Sequence, residues 1–184
     1  MDVLVIAGGD DVLRATAIDQ AIEKALGKAD RSLALEIVTE DNFRVNNAFE
    51  LYGLVEAAET PPFLTNIRVV VGRHIGRFST AADLQPLMAY LEAPLVTTSL
   101  ILVWEKGRDP VQQRLSPVPK ALVTAVETAG GSLLDCSVGR GREANRWIRK
   151  RLDDSEVDLT PQARQFLVET LGEDRSRVLG VLAI

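Results

Sequence analysis

Residues 3–27 read VLVIAGGDDVLRATAIDQAIEKALG. Val3–Ala7 is a continuous apolar run of strand type, and Gly8 and Gly9 turn the chain. Ile18, Ala21, Ile22, Ala25 and Leu26 then recur at helical spacing until Gly27, a helix C-cap. Strand, turn and helix in that order begin an α/β layer, and the same alternation continues along the chain. Leu33–Val38 reads as a second strand. A helical pattern follows through Ala48, Leu51, Leu54, Val55 and Ala58, and it must stop before Pro61, because the residue preceding a proline disfavours helical dihedrals. Ile67–Val71 reads as the next strand. Thr80 with Asp83 three residues on resembles a capping box, opening a helix through Leu84, Leu87, Met88 and Leu91 with Pro86 in its first turns. Leu95–Trp104 contains TSLILVW, apolar without alternation, as expected of a strand at the centre of a sheet covered on both faces. Helix Lys120–Ala129 and strand Ser132–Cys136 complete the layer. The expected fold class is α/β, with a largely parallel sheet flanked by helices.

The pattern changes after Gly139, where strand signals cease and two or three short helical patterns follow. This predicts an α/β domain over 1–138 and a small helical domain over 139–184. Thr160 before Pro161 suits an N-cap and first helical position, and Gly172 a stop. The closing DRSRVLGVLAI is apolar up to Ile184 with no C-cap, the expectation for a piece of a longer chain.

With 184 residues, 46% hydrophobic and 26% charged, the composition is that of a globular protein and excludes disorder and collagen-like repetition. Twenty-one basic residues against 26 acidic ones give a net charge of -5, which argues against a protein that coats nucleic acid electrostatically. The single cysteine cannot make an internal disulfide, and one Cys with one His would need carboxylates to build a metal site. No apolar run approaches the ~20 residues that cross a bilayer, and no basic region precedes the first apolar stretch as in a signal peptide. A cytoplasmic protein without membrane contact is expected.

The turn after the first strand is where a phosphate loop would lie in a nucleotide-binding α/β fold. Here it reads GGDDVLR, lacking the lysine for terminal phosphates and the hydroxyl for magnesium, and offering two carboxylates that repel polyphosphate. Asp10 is better read as a helix N-cap and Asp11 as a complement to the helix dipole. His74 reads as a solvated loop residue, Cys136 as a small buried hydrophobe, and Trp104 and Trp147 as packing. No catalytic residue, cofactor or metal is expected. Arg140, Arg142, Arg146, Arg149, Lys150 and Arg151 concentrate positive charge, and Arg142, Arg146 and Arg149 share one helix face. They either contact DNA or an acidic partner, or form the solvated side of an amphipathic helix whose other face carries Ala144, Trp147, Ile148 and Leu152. Thr60-Pro61-Pro62-Phe63-Leu64-Thr65 is the most unusual segment: two prolines end a helix and hold a large apolar pair. Phe63 and Leu64 either fold back into the core or project as an anchor for a partner's pocket.

At these residues the chain resembles the delta subunit of bacterial DNA polymerase III, the clamp-loader subunit that binds and opens the sliding clamp. The resemblance rests on VLVIAGGDDVLRATAIDQAI, ETPPFLTNIRVVVGRHIGRFS, SLILVWEKG, LLDCSVGRGREANRWIRKR and TPQARQFLVETLGEDRSRVLGVL, in that order. It implies an AAA+-like first domain with a degenerate phosphate loop and a helical lid, and a subunit that does not itself hydrolyse ATP. It also implies a hydrophobic pair that enters a pocket of the clamp. By position this falls on Pro62 and Phe63, with Leu64 sharing the role, since other members carry leucine where Pro62 stands. The implied partners are the sliding clamp (beta subunit), the ATPase (gamma/tau) and delta-prime subunits, and primed DNA through the complex. The family's C-terminal collar domain is not in this sequence, so poor assembly with the ATPase subunits is expected. Two other classes remain in view: a nucleotide-dependent enzyme with an unusual phosphate loop, and a DNA-binding module using the basic helix 140–151.

Overall fold

The structure is a computed structural model and describes residues 2–137, 146, 149, 152, 153 and 159–171. Five strands form one sheet: β1 (Val3–Ala7), β2 (Leu35–Val38), β5 (Arg68–Gly72), β6 (Thr98–Val103) and β7 (Ser132–Asp135), in the order β2-β5-β6-β1-β7. Every pairing is parallel, which is the α/β layer expected from the alternation. All six residues of β6 are buried, as its unbroken apolar run predicts for a central strand. Val5, Val70, Leu100, Leu102 and Trp104 join one hydrophobic cluster with Leu54, Leu84, Leu87, Leu122 and Val126 from the helices. Side chains of the opposite parity, Ile6, Val69, Val71, Ile101 and Val103, are buried too, so both faces of the sheet are covered. Each such aliphatic side chain contributes on the order of 1.5–3 kcal/mol by leaving water.

Helix α1 (Asp11–Leu26) buries Ile18, Ile22 and Leu26 at spacings of four, and α4 (Tyr52–Glu59) buries Leu54, Ala57 and Ala58. Helix α5 (Ala81–Glu92) begins as the sequence predicts: Asp83 N–H donates to Thr80 Oγ1 at 3.2 Å, and Thr80 N–H donates to Asp83 Oδ2 at 3.4 Å. Thr80→Ala is therefore expected to cost about 1 kcal/mol, read as a lower urea midpoint with an unchanged slope. Helix α6 (Lys120–Thr128) leads into β7 through Gly130, at φ +79°, and Gly131, where a Cβ would stand 2.3 Å from the Val3 carbonyl oxygen. That approach lets β7 pair directly with β1.

Three details depart from the sequence reading. Leu33 is not in a strand: Asp30 accepts the Ser32 N–H at 2.8 Å and caps a short helix, α2 (Arg31–Ala34), before β2 starts at Leu35. The helical pattern does not begin at Ala48: after α3 (Glu40–Phe43) comes a two-stranded hairpin, β3 (Arg44–Val45) with β4 (Ala48–Phe49), which takes Ala48. Asn46, at φ +54°, turns the hairpin, and α4 starts only at Tyr52. Finally, β7 ends at Asp135, one residue short of the expected Cys136; it is an edge strand, with Leu133 39% and Leu134 43% accessible.

The chain divides into two compact units, Met1–Gly8 with Arg14–Cys136, and Gly9–Leu13 with Ser137–Ile184. In the second, α7 (Pro161–Leu171) has the expected cap, with Ala163 N–H donating to Thr160 Oγ1 at 3.2 Å. Arg164 pairs with Asp153. Gly172 and the closing apolar segment lie outside the described residues.

Candidate functional site

In an open α/β sheet, ligands bind beyond the carboxyl ends of the strands where the strand order reverses. Here that crevice is occupied by the protein's own charges. Glu105, just past β6, is 7% exposed and accepts Arg73 Nε at 2.5 Å, Arg73 Nη2 at 3.0 Å and the His74 backbone N–H at 3.2 Å. Arg14 Nε stands 3.5 Å from Glu105 Oε2, while Arg14 Nη1 donates to the Gly8 carbonyl at 2.8 Å. Glu105 thus ties the ends of β1, β5 and β6 together. A second buried acid, Glu40 at the start of α3, accepts Arg77 Nε, the Arg108 N–H at 2.5 Å and the Asp109 N–H at 3.1 Å. Arg77 also lies 4.2 Å over the Phe49 ring.

Burial works to raise both carboxyls, yet both lie below their ordinary value of 4.5. For Glu105 the Arg73 contacts and His74 outweigh burial; for Glu40 the Arg108 N–H and Arg77 do. His74 overturns its reading as a solvated loop residue: it is 7% exposed, and burial lowers it below 6.5 against the opposing pull of Glu105 and Glu40. Its Nε2 lies 3.7 Å from Glu105 Oε1, too long for a hydrogen bond.

Asp10 is the N-cap that its position suggests, accepting the Val12 and Leu13 N–H groups at 3.1 and 3.0 Å. Those two amides at the helix N-terminus are thereby satisfied within the chain. Glu40, Glu105, Arg14, Arg73 and Arg77 were missed as a group by sequence reasoning. The available signal was an acid immediately after the central apolar strand, with Arg73-His74 at the end of its neighbour.

The opposite edge of the sheet carries the proline connector. Thr60 leaves the helical region at ψ 118°, and its hydroxyl donates to Glu56 O at 2.7 Å, closing α4 ahead of Pro61. Arg68, opening β5, donates from Nε to Ala57 O at 3.0 Å and pairs with Glu36. Thr65 Oγ1 donates to Ile67 O at 2.7 Å. Between these fixed ends Phe63 is 92% and Leu64 67% exposed, and Pro62 is half-buried. The pair projects; it does not fold back into the core. Of the basic segment, Arg146 and Arg149 are helical and exposed, whereas Arg140, Arg142, Lys150 and Arg151 lie outside the described residues. Cys136 and Trp104 are buried as expected, the indole donating to Ser116 O at 2.7 Å. Among the described residues no helix is long and apolar enough to cross a membrane.

The architecture is that of an α/β layer on a parallel sheet, the fold found in clamp-loader subunits. In particular, the chain is similar to the Bacillus subtilis DNA clamp loader delta protein, with a TM-score of 0.71 and 13% identity over 100% of this chain and 52% of that one. A gamma subunit-related protein of DNA polymerase III from Thermotoga maritima gives a TM-score of 0.49 and 13% identity over 99% of this chain and 53% of that one. The chain therefore spans about half the length of each. No protein-family model matches it, and no curated protein matches its sequence.

Proposed function

We propose that the chain acts in a bacterial replicative clamp loader as the subunit that binds the sliding clamp and favours its opening, without hydrolysing ATP itself. The observation that carries this reading is the apolar pair Phe63 and Leu64, held out in solvent between α4 and β5 by a connector fixed at both ends. Exposing a phenyl ring and an isobutyl group side by side has a cost in water that a pocket on a partner removes. The mechanism is conformational. A contact that is better made with an open clamp interface than with a closed one shifts the ring toward opening, and only that difference in affinity does so. The fold likeness to a clamp-loader delta protein and the self-filled crevice support the same reading.

In this reading 139–184 forms a helical lid on an AAA+-like first domain, and the ATPase (gamma/tau) and delta-prime subunits are the assembly partners. Primed DNA is met through the complex. Calorimetric titration of the chain into the sliding clamp of the same organism tests the proposal. Saturable binding is expected; a folded chain that gives no binding heat would overturn it. Stoichiometric uptake of ATP-Mg by the isolated chain would favour a nucleotide-dependent enzyme instead.

A further inference from the structure

Phe63 and Leu64 share their edge of the sheet with other unpartnered apolar groups. They lie in the connector entering β5, and the connector entering its neighbour β6 carries Val96, 78% exposed. The two strands are parallel, with Arg68 opposite Thr98, and the Arg68 N–H donates to Thr97 O at 2.9 Å. Both connectors therefore open on the same amino-terminal edge. Helices α4 and α5 also finish there, at Glu59 and Glu92, and pack on each other, with the Tyr90 hydroxyl donating to Ala58 O at 3.3 Å. A groove of about 550 Å³ lies between their outer faces, lined among others by Tyr52, Val55, Pro86, Ala89 and Leu95. Tyr52 is 61% exposed.

The charges of the two spans that carry this surface have one sign. Glu50, Glu56 and Glu59 are the only charged residues from 46 to 67, and Asp83 and Glu92 the only ones from 78 to 104; neither span holds a lysine or arginine. Glu56, Glu59, Asp83 and Glu92 are exposed, and no ion pair joins any of the five to another described residue. The base at this edge, Arg68 at the start of β5, is already paired with Glu36 and donates to Ala57 O. An unneutralised acidic rim around exposed apolar side chains disfavours a nucleic-acid partner and suits a protein face of opposite charge.

We propose that the α4–α5 groove, with Tyr52 and Val96, is the second half of the docking surface anchored by Phe63, and that it takes a clamp face whose apolar pocket is bordered by lysine and arginine. This rests on the clamp-binding reading and deepens it. The acidic rim steers encounter, Val96 slows dissociation by excluding water at the edge that carries the anchor, and Tyr52 does the same in the groove.

The test is surface-based kinetics of the chain on the immobilised clamp. Parent, Val96→Ser, the double variant Glu59→Lys with Glu92→Lys, and Phe63→Ala are compared at about 0.1 M and about 1 M salt, where the Debye length falls from ~10 Å to ~3 Å. The double reversal is expected to slow association about tenfold or more at low salt and to remove the salt dependence of the parent. Val96→Ser is expected to speed dissociation. These substitutions sit at exposed positions, and circular dichroism verifies that the fold is kept. If Phe63→Ala weakens binding while the other variants match the parent at both salts, the anchor stands and the second surface is overturned. If the parent does not bind at all, both readings fall.

Discussion

Phe63→Ala is expected to weaken binding of the chain to the sliding clamp by about 30-fold to 1000-fold, the equivalent of ~2–4 kcal/mol for a truncated hot-spot aromatic. The same substitution should leave the thermal midpoint of the free chain within a degree or two, because a side chain 92% exposed has no core contacts to lose. That separation makes the experiment decisive. A buried anchor would cost stability and binding together, whereas a projecting one costs binding alone. Leu64→Ala is expected to weaken binding less than Phe63→Ala but more than Pro62→Ala, since Leu64 is 67% exposed and Pro62 half-buried. An unchanged titration curve for Phe63→Ala would remove the connector from the interface. A parallel fall in the thermal midpoint would mean that the residue packs against the body of the protein.

The sequence made the sheet legible because its strands announce themselves by composition. TSLILV could only be a strand covered on both faces, and all six of its residues are buried. The cap at Thr80, the stop before Pro61 and the Asp10 cap were legible for a related reason: each is a bond or a steric limit between residues one to three apart. The connector could be recognised but not resolved, since a local reading gives Phe63 no way to show whether a core lies within reach. The misreadings have a common origin in tertiary placement. His74 follows a strand like any loop residue, yet the carboxylate that draws its surroundings inward is Glu105, 31 positions later. Glu40 and Arg77 are 37 residues apart and meet only because β2 and β5 are neighbours in the sheet. At Leu33 and Ala48 short-range polar chemistry at Asp30 and a left-handed Asn46 overrode an apolar periodicity too brief to fix an element.

Glu105→Gln is expected to lower stability by about 3 kcal/mol or more at neutral pH, the scale on which removing one partner of a buried ion pair leaves the other charge uncompensated. Glutamine can still accept from the His74 N–H and from Arg73, so the loss isolates charge from hydrogen bonding. Arg73, the nearer guanidinium with two contacts to the carboxylate, loses the most charge compensation. The acid profile should change in a defined way. The Glu105 carboxyl is held below 4.5 in the folded chain, so its contribution is complete above that value and is lost as pH falls through the folded value. His74, held below 6.5 by burial, likewise contributes fully above 6.5 and loses that contribution as pH falls through its own lowered value. The parent should therefore weaken in two stages on acidification. In the glutamine variant the second stage shrinks. The first extends further into acid, because the negative charge that partly restored His74 is gone. Urea unfolding at steps from about pH 7 to about pH 2 measures both; a variant as stable as the parent across that range would show that Glu105 does not brace the crevice. If it does, the strand ends beside Gly8 are held by Arg14, Arg73 and Glu105 themselves, and the domain keeps its shape without a nucleotide. The proposed role, presenting Phe63 to a clamp while neighbouring subunits turn over ATP, requires that independence.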